Sequence, residues 1–524
     1  MKPIYHFIQS LLLLALAFSL FSGCSEDVMD RINKDGDHTT EVPAKYTLAD
    51  VITSTAFNGI GGDFNTYFAS YVEHEVGISN QLYRAETRQG EPSSSTTFNN
   101  IWNSIYATLK NARIVVARCS EGGPQEGNYT TKGIGEVMEA LNTGLLADAW
   151  GDTPYSQAAL PTLNNGQPQY LNPGVDSQEA IYKALMQLLD DAIADLPQGD
   201  QHTTGSAGVY DLVYQGDSEK WIKLAYGLKA RYTMHRLYRA TDKSAELGKV
   251  LDYIGKSFTS ADEQAAFAIY DVTNLNPLFD FQWSRDYFAA SESMSKKLIA
   301  RKDPRADRAF IDKNWMQVTP DSTSFYMAPN GTPKPVQYTY NTSVFVFSQT
   351  APTLLLSYHE LLFLKAEALC RLNRNNEAKV VLKDAVIAAI ANFENSVNAA
   401  MKAPLVVSNG GLTETTAAIT PEKAAGYFDT EVAPLFDANP LKETMVQKYI
   451  AFWGASGEST ECYNDIRRMK ANGENFVELQ NPNPFPLRCP YGDEDVNANP
   501  NVNKLQGDGK FVYSEPVWWA GGKR

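Results

Sequence analysis

The feature of this 524-residue chain that most constrains its fold is a series of long helical segments. Residues 97–119 carry apolar side chains at spacings of three and four, including Phe98, Trp102 and Leu109, which is the pattern of one buried helix face. The same helical periodicity recurs over 133–150, 177–196, 218–240, 358–372, 376–393 and 441–453. The one strand-like stretch noted is short, at 336–347. The sequence therefore predicts a mainly α protein.

Two of these helices match the spacing of a tetratricopeptide repeat. With Ala366 at the small-residue position of the first helix, Ala378 and Ala385 follow at small-residue positions of the second. Small side chains at such positions let antiparallel helices approach closely, and such pairs must stack to bury their outer faces. The other helices do not keep the consensus letters, so generic helical hairpins explain the spacing equally well.

The first 23 residues predict a lipoprotein signal peptide. Lys2 precedes the apolar stretch 10–19, which is shorter than the roughly 20 apolar residues that span a bilayer. Small residues then precede Cys24, and this pattern resembles a bacterial lipobox, with Phe21 where Leu is usual. A secreted protein with a chance cysteine is the alternative. We expect lipidation of Cys24, followed by an acidic, flexible tether over 24–45.

The remainder, 46–524, is expected to form one domain. The helical scaffold is predicted over 46–260 and 351–470. Segments rich in loops are predicted at 261–350, 395–440 and 471–524. Long ordered loops in such a domain commonly form functional surfaces.

Four cysteines follow Cys24. Cys370 lies in an apolar helical run and is expected to be a small buried residue. A disulfide between Cys462 and Cys489 can form if the protein is in an oxidising compartment. Neither these nor Cys119 form a CxxC or CxxxC pair, which makes a cysteine-based zinc site improbable.

Charge and motifs exclude several functions. The chain has 46 Lys and Arg against 61 Asp and Glu, a net charge of −15, and this field repels nucleic acid. There is no GxSxG, P-loop or GxGxxG motif, and Phe363 stands where a zincin beginning at His359 needs its second histidine. The sequence therefore predicts no enzyme activity and no cofactor.

Aromatic residues with polar neighbours are the candidate ligand-binding groups. An aromatic face can pack on the C–H face of a sugar or on a peptide side chain, while Asn and Arg bind hydroxyls or amides. Core packing is the alternative for each Tyr and Trp. The candidates are Tyr67, Tyr71, Asn80, Tyr83 and Arg84 near the N-terminus, and Trp283, Arg285 and Tyr287 in the loop-rich insertion.

A calcium loop is a further, weaker hypothesis. Asp493, Asp495 and Asn497 place oxygen ligands at alternate positions, as calcium loops do. Ala498 and Lys504 stand where such a loop has its glycine and its glutamate. An Asx-rich turn is therefore the favoured interpretation, and no metal site is predicted.

Several motifs in a fixed order cover nearly the whole mature chain. Residues 148–156 read DAWGDTPYS, 220–231 read KWIKLAYGLKAR and 461–468 read ECYNDIRR. Shorter motifs lie at 276–279, 286–288, 303–305, 356–368, 486–488 and 497–500. Together with Cys24, this set resembles the SusD/RagB family of outer-membrane nutrient-binding lipoproteins. The departures are Tyr226-Gly227 where Asn-Ser is commoner and Cys462-Tyr463 at the aromatic position.

The resemblance implies an α-superhelix of four tetratricopeptide-like pairs with a loop-rich ligand face. It implies attachment to the outer membrane, facing outwards, and a SusC-like TonB-dependent barrel on which the protein acts as a hinged lid. The implied ligand is an oligosaccharide first and an oligopeptide second. The motifs themselves have structural residue types and do not mark the ligand site. A helical-repeat scaffold without a nutrient ligand and a glycosidase with an unrecognised carboxylate pair are the competing classes.

Overall fold

The computed structural model describes residues 42–89, 96–164 and 167–524. The predicted signal peptide, the expected lipidation site Cys24 and nearly all of the predicted tether lie outside the described residues. Residues 44–524 form one compact unit. Within the described residues, no helix combines the length and apolar character needed to cross a membrane.

Helices make up most of the fold, as the periodicity predicts. The α-helices are α1 Ala44–Ser54, α2 Asp63–Tyr71, α3 Asn80–Thr87, α4 Thr96–Cys119, α5 Tyr129–Trp150, α6 Gln178–Asp195, α7 Ser218–His235, α8 Lys243–Gly255, α9 Pro277–Arg285, α10 Glu292–Ala300, α11 Tyr358–Arg371, α12 Asn375–Met401, α13 Pro404–Ser408, α14 Pro421–Tyr427, α15 Ala433–Ala438, α16 Pro440–Ala451, α17 Ser459–Ala471, α18 Asp493–Ala498, α19 Pro500–Gln506 and α20 Phe511–Ser514. Two π-helical segments lie at Thr55–Ile60 and Phe428–Val432.

Chain neighbours among the long helices pack against each other. The contacts pair α4 with α5, α5 with α6, α7 with α8, and α11 with α12. Ala366, Ala378 and Ala385 are all fully buried where α11 meets α12, as the repeat spacing requires. The second helix of this pair runs to Met401 because Phe393, Val397 and Ala400 continue its buried face. Residues 395–401 are therefore helical and not loop.

The strands are short, and three of their pairings join distant parts of the chain. They are β1 Glu75–Gly77, β2 Thr153–Pro154, β3 Leu163–Asn164, β4 Gln167–Pro168, β5 Val175–Asp176, β6 Ala265–Phe267, β7 Phe288–Ala290, β8 Phe310–Ile311, β9 Gln317–Val318, β10 Thr342–Ser343 and β11 Thr353–Leu356. The order β10-β8-β9 forms one sheet, and β11 pairs with β6, β2 with β5, and β3 with β4. The antiparallel pair of β1 and β7 brings the segment after α2 against the segment after α9.

The motif residues meet in a buried ionic network. His235 at the end of α7 lies between two carboxylates: its Nδ1 is 3.2 Å from Asp148 on α5 and its Nε2 is 3.0 Å from Glu461 on α17. The indole of Trp519 donates to Asp148 at 2.9 Å, and the hydroxyl of Tyr182 also donates to it. Asp148, His235 and Glu461 each have one atom that could bind a metal, and these three atoms lie within 4.8 Å of one another. Each of the three side chains is already paired with another side chain of the protein. The network therefore ties α5, α7 and α17 together.

A second ion pair in the same region is fully buried. Arg231 on α7 donates from Nε and Nη2 to both oxygens of Glu360 on α11, at 2.7 and 2.6 Å. The same Nη2 donates to the carbonyl of Leu355 at 3.0 Å. On α17, Arg468 bonds Glu367 and Asp465. The motifs that carry the family resemblance are therefore structural, since their charged residues pair inside the scaffold.

The pH dependence of stability follows from His235. Burial alone would lower its pKa, but Asp148 and Glu461 raise the pKa of His235 from 6.5 to about 9. The folded protein thus binds this proton more tightly than the unfolded chain, and the stabilisation is complete below pH 6.5 and lost as the pH rises through 9. We expect the free energy of unfolding of the wild type, minus that of His235→Gln, to fall by on the order of 3 kcal/mol between pH 6.5 and 9.

Urea unfolding at a series of pH values measures this difference. Other titrating groups, such as Glu75 and Glu136 with their raised pKa values, are common to both proteins and cancel. A difference that stays constant between pH 6.5 and 9 would contradict a charged His235.

Two weaker sequence hypotheses can be compared with the structure. Cys462 and Cys489 are both buried and do not form a disulfide with each other. Asp493, Asp495 and Asn497 lie on helix α18, which does not have the backbone of a calcium loop. Asp495 accepts instead a hydrogen bond from the indole of Trp102 at 2.5 Å.

Candidate ligand-binding site

An open cleft lies where the N-terminal helices meet the insertion after β6. Its volume is about 500 Å³, within the range of about 300–1,000 Å³ that is typical of small-ligand sites. Most of its lining side chains are polar, and several are aromatic. The lining residues are Phe57, Asn58, Gly62, Asp63, Thr66, Tyr67, Gln81, Asn100, Ile101, Ser104, Thr273, Asn274, Leu275, Pro277, Asp280, Phe281 and Arg285.

One wall of the cleft comes from the π-helical segment and α2. The π-helix Thr55–Ile60 presents Phe57 and Asn58, and such segments occur frequently at functional sites. Gly62 makes the tight join to α2, since a Cβ there would lie 2.5 Å from the carbonyl oxygen of Phe57. In α2, Asp63 and Tyr67 are four residues apart and therefore share the helix face that lines the cleft.

The opposite wall comes from α9. Asn276 caps this helix, its side-chain oxygen accepting from the backbone N–H of Leu278 at 2.9 Å. Phe281 and Arg285 are four residues apart and point into the cleft together, with the guanidinium 5.1 Å from the ring centroid. This face therefore combines an apolar surface with a cation.

The loop before α9 is held in a defined conformation. The carboxylate of Asp271 accepts hydrogen bonds from the backbone N–H groups of Thr273 and Asn274, both at 2.7 Å. These hydrogen bonds lower the pKa of Asp271 to about 2. Asn274 is thereby positioned at the rim of the cleft, an Asx-type turn being stiff by its own hydrogen bonds.

The charged groups of the cleft are available to a ligand. In the described part of the chain, the carboxylates of Asp63 and Asp280 accept no hydrogen bond, and Arg285 donates only to its neighbour Ser284, at 2.9 Å. Burial raises the pKa of Asp63, and the nearby Arg285 partly offsets this. Two carboxylates and one guanidinium without ion-pair partners can bind hydroxyl or amide groups of a ligand.

The candidate residues Asn80 and Tyr287 lie together beside the cleft. The amide of Asn80 donates to the hydroxyl of Tyr287 at 2.9 Å, across the β1–β7 pair. Asn80 and Asp286 both have positive φ, 48° and 54°, a backbone strain that often occurs at functional sites. Gln81, next to Asn80, lines the cleft itself.

The structure divides the candidate residues into three groups. Tyr67 and Arg285 line the cleft, and Asn80 and Tyr287 lie at its edge. Tyr83 and Arg84 lie on α3 outside the cleft lining, half-buried and exposed, respectively. Tyr71 and Trp283 point elsewhere.

Helix geometry explains where Tyr71 and Trp283 lie. Trp283 is two residues from both Phe281 and Arg285, about 200° around α9, and it stacks on Phe279 with centroids 5.3 Å apart. Tyr71 is 3% exposed, lies against the guanidinium of Arg88 at 4.6 Å, and lines a separate cavity with Phe485. Replacing Tyr71 would therefore remove core packing.

The cleft also contains residues that the sequence analysis did not select. These are chiefly Asp63 and Asp280 as charged groups, and Asn58, Asn100 and Asn274 as amides. The pair Gly61-Gly62 before Asp63 is the local signal for a tight turn at a helix start. No comparable signal marks the three asparagines.

The fold and the cleft define a helical-repeat protein with an open, mostly polar cleft. The chain belongs to the SusD-like family described as starch-binding and associating with the outer membrane, whose family model matches residues 37–470. No curated protein matches the chain. The match to the family model confirms the family resemblance of the sequence motifs.

Solved structures agree with this membership. A SusD/RagB family protein from Bacteroides thetaiotaomicron is 53% identical, with a TM-score of 0.87, over 92% of this chain and 100% of that one. A chitin-binding protein is 20% identical, with a TM-score of 0.67, over 90% and 99% of the two chains. A SusD homolog from Bacteroides uniformis is 17% identical, with a TM-score of 0.61, over 92% and 100%. The last two likenesses show the fold alone.

Proposed function

We propose that this protein captures an oligosaccharide at the outer surface of the outer membrane and delivers it to a SusC-like TonB-dependent barrel. In this proposal, lipidated Cys24 is the anchor, the chain faces the outside, and the domain acts as a hinged lid on the barrel. The protein binds its ligand without cleaving it. Family membership supports the nutrient class and the outer membrane.

The cleft between α2 and α9 is the observation that best supports an oligosaccharide as the ligand. Phe57 and Phe281 offer apolar surfaces for the C–H face of a sugar, while Asp63 and Arg285 offer an acceptor and a planar donor for neighbouring hydroxyls. Such a mixture of aromatic and convergent polar groups suits a ligand with one apolar and one hydroxylated side. A tethered lid needs only modest affinity, because the tether keeps its effective concentration near the barrel high.

Calorimetry with maltohexaose, N-acetylchitohexaose and a panel of tri- to hexapeptides tests the proposal. We expect saturable heat with at least one glycan and none with the peptides. Heat with peptides alone would show that the ligand is an oligopeptide and not an oligosaccharide. Absence of heat with every probe would overturn the nutrient function. Mass spectrometry of the recovered glycan should show intact chains, whereas shorter products would contradict a non-catalytic role. If the proposed barrel is the partner, a TonB-dependent barrel should co-purify with the detergent-extracted protein.

A further inference from the structure

Another cavity lies on the other side of helix α4 from the cleft. It has a volume of about 270 Å³ and is bordered by Tyr106 and Lys110 of α4 and by the segment around Tyr170. The cleft is bordered by Ser104 of the same helix, and residues 104 and 106 are about 200° apart around the helix axis. The two cavities are therefore separate. We call the second one the Tyr170 cavity.

Its walls are apolar and firmly held. Pro154, Pro168 and Pro173 line it together with the rings of Tyr106 and Tyr170. The hydroxyl of Tyr106 donates to the carbonyl of Pro154 at 2.7 Å, and the amide of Asn499 donates to the carbonyl of Pro173 at 3.0 Å. Tyr170 is 41% exposed, a large exposure for an aromatic residue beside a cavity. A flat apolar ligand face can pack against these walls.

The polar groups of the Tyr170 cavity lack internal partners. Gln157 uses its oxygen to accept from the backbone of Gly174 at 2.8 Å, so its NH₂ group is available. Over the described ranges, Lys110, Gln169 and the hydroxyl of Tyr170 make no hydrogen bond or ion pair. Asp495, which binds Trp102 through one oxygen, leaves the other available. One cation and one anion give this cavity no net charge, which favours an uncharged ligand.

We infer that the Tyr170 cavity is a second carbohydrate subsite, which takes one or two neutral pyranose units of the same glycan that binds in the cleft. The inference rests on the proposed function. Apolar proline and tyrosine surfaces match the C–H face of a pyranose, and the amide, ammonium and carboxylate groups match its hydroxyls. Two subsites on one anchored protein hold a long polysaccharide by avidity, whereas a short oligosaccharide occupies each subsite independently.

The test compares short and polymeric glycans on the full-length protein in detergent. Calorimetry with whichever of maltohexaose and N-acetylchitohexaose binds should give two sites on the wild type and one on Tyr170→Ala. Affinity electrophoresis in gels containing soluble starch or glycol chitin should show retention weakened about tenfold by Tyr170→Ala, the loss expected when an aromatic contact of one subsite is removed from an avid pair. Tyr238→Ala is the matched control, since Tyr238 is 39% exposed and outside the lining of this cavity, and it should behave as wild type.

The outcomes separate the inference from the proposed function. If Arg285→Ala loses one site and Tyr170→Ala still shows every site of the wild type, the second subsite is wrong while glycan capture in the cleft stands. If Tyr170→Ala abolishes the sole site, the ligand binds in the Tyr170 cavity and the proposed cleft is wrong. If neither hexasaccharide nor polymer binds the wild type, both are overturned.

Discussion

Replacing Arg231 with methionine should destabilise the protein by about 3–5 kcal/mol, the cost of leaving a buried charge without its partner. Arg231 is buried and binds both oxygens of Glu360 at 2.7 and 2.6 Å. Burial raises the pKa of Glu360, and Arg231 opposes that rise, so the variant must bury either an unpaired carboxylate or a protonated one. Urea unfolding followed by far-ultraviolet circular dichroism measures the loss.

The double variant Arg231→Met/Glu360→Gln keeps the test decisive if the single variant does not fold. Removing both charges takes away the unpaired ion, so the double variant should regain a substantial part of the lost stability. Arg374→Met is the matched control, because Arg374 forms an exposed pair with Glu377 at 2.6 Å and exposed pairs contribute little. A single variant as stable as Arg374→Met would show that the buried pair is not a main support of the scaffold.

The sequence could reveal the scaffold because its determinants are local or strongly constrained. Helix periodicity depends on neighbours three and four residues apart, and the alanines of α11 and α12 occupy the positions that the repeat spacing assigns. The motif charges are equally constrained, since Asp148, Arg231 and Glu461 are buried and each needs its partner. Family and fold therefore follow from buried residues that lie outside the lining of the cleft.

The binding site could be predicted only in part, because it is assembled from distant segments. Asp63, Asn100 and Asn274 meet in the cleft through packing of α2, α4 and the loop before α9, and no local pattern encodes that meeting. Within α9, Trp283 and Arg285 are both candidate residues because they are close in the chain. Helical phase separates them, since Phe281 shares the face of Arg285 while Trp283 stacks on Phe279.

The buried segment 73–75 shows the same limit. The run Glu73-His74-Glu75 has the composition of a solvated surface, yet all three side chains are buried. His74 contacts the hydroxyl of Ser459 and the carbonyl of Tyr449, both at 3.0 Å, and burial lowers its pKa to about 3. Glu75 accepts from the indole of Trp453 at 3.0 Å. These polar residues are buried because they contact partners nearly 400 residues away along the chain. Local sequence spacing cannot indicate partners at that distance.

Arg285→Ala should weaken binding of the glycan that gives calorimetric heat by about 10- to 100-fold. Arg285 lines the cleft, its guanidinium lies beside Phe281, and Ser284 is its sole hydrogen-bond partner within the described residues. A planar donor that binds two hydroxyls contributes charge-assisted hydrogen bonds of about 1.5–3 kcal/mol. Asp63→Asn should weaken binding in the same direction but less, because the amide keeps an acceptor oxygen.

Arg84→Ala is the matched control for the cleft. Arg84 is an exposed arginine in the last turn of a short helix, as Arg285 is, but it does not line the cleft. Both substitutions remove one exposed cation, so a general effect of charge on glycan binding would appear in both. Affinity lost in Arg285→Ala and retained in Arg84→Ala assigns the ligand to the cleft. Equal affinity of Arg285→Ala and wild type would place the glycan elsewhere on the protein and would contradict the proposed site.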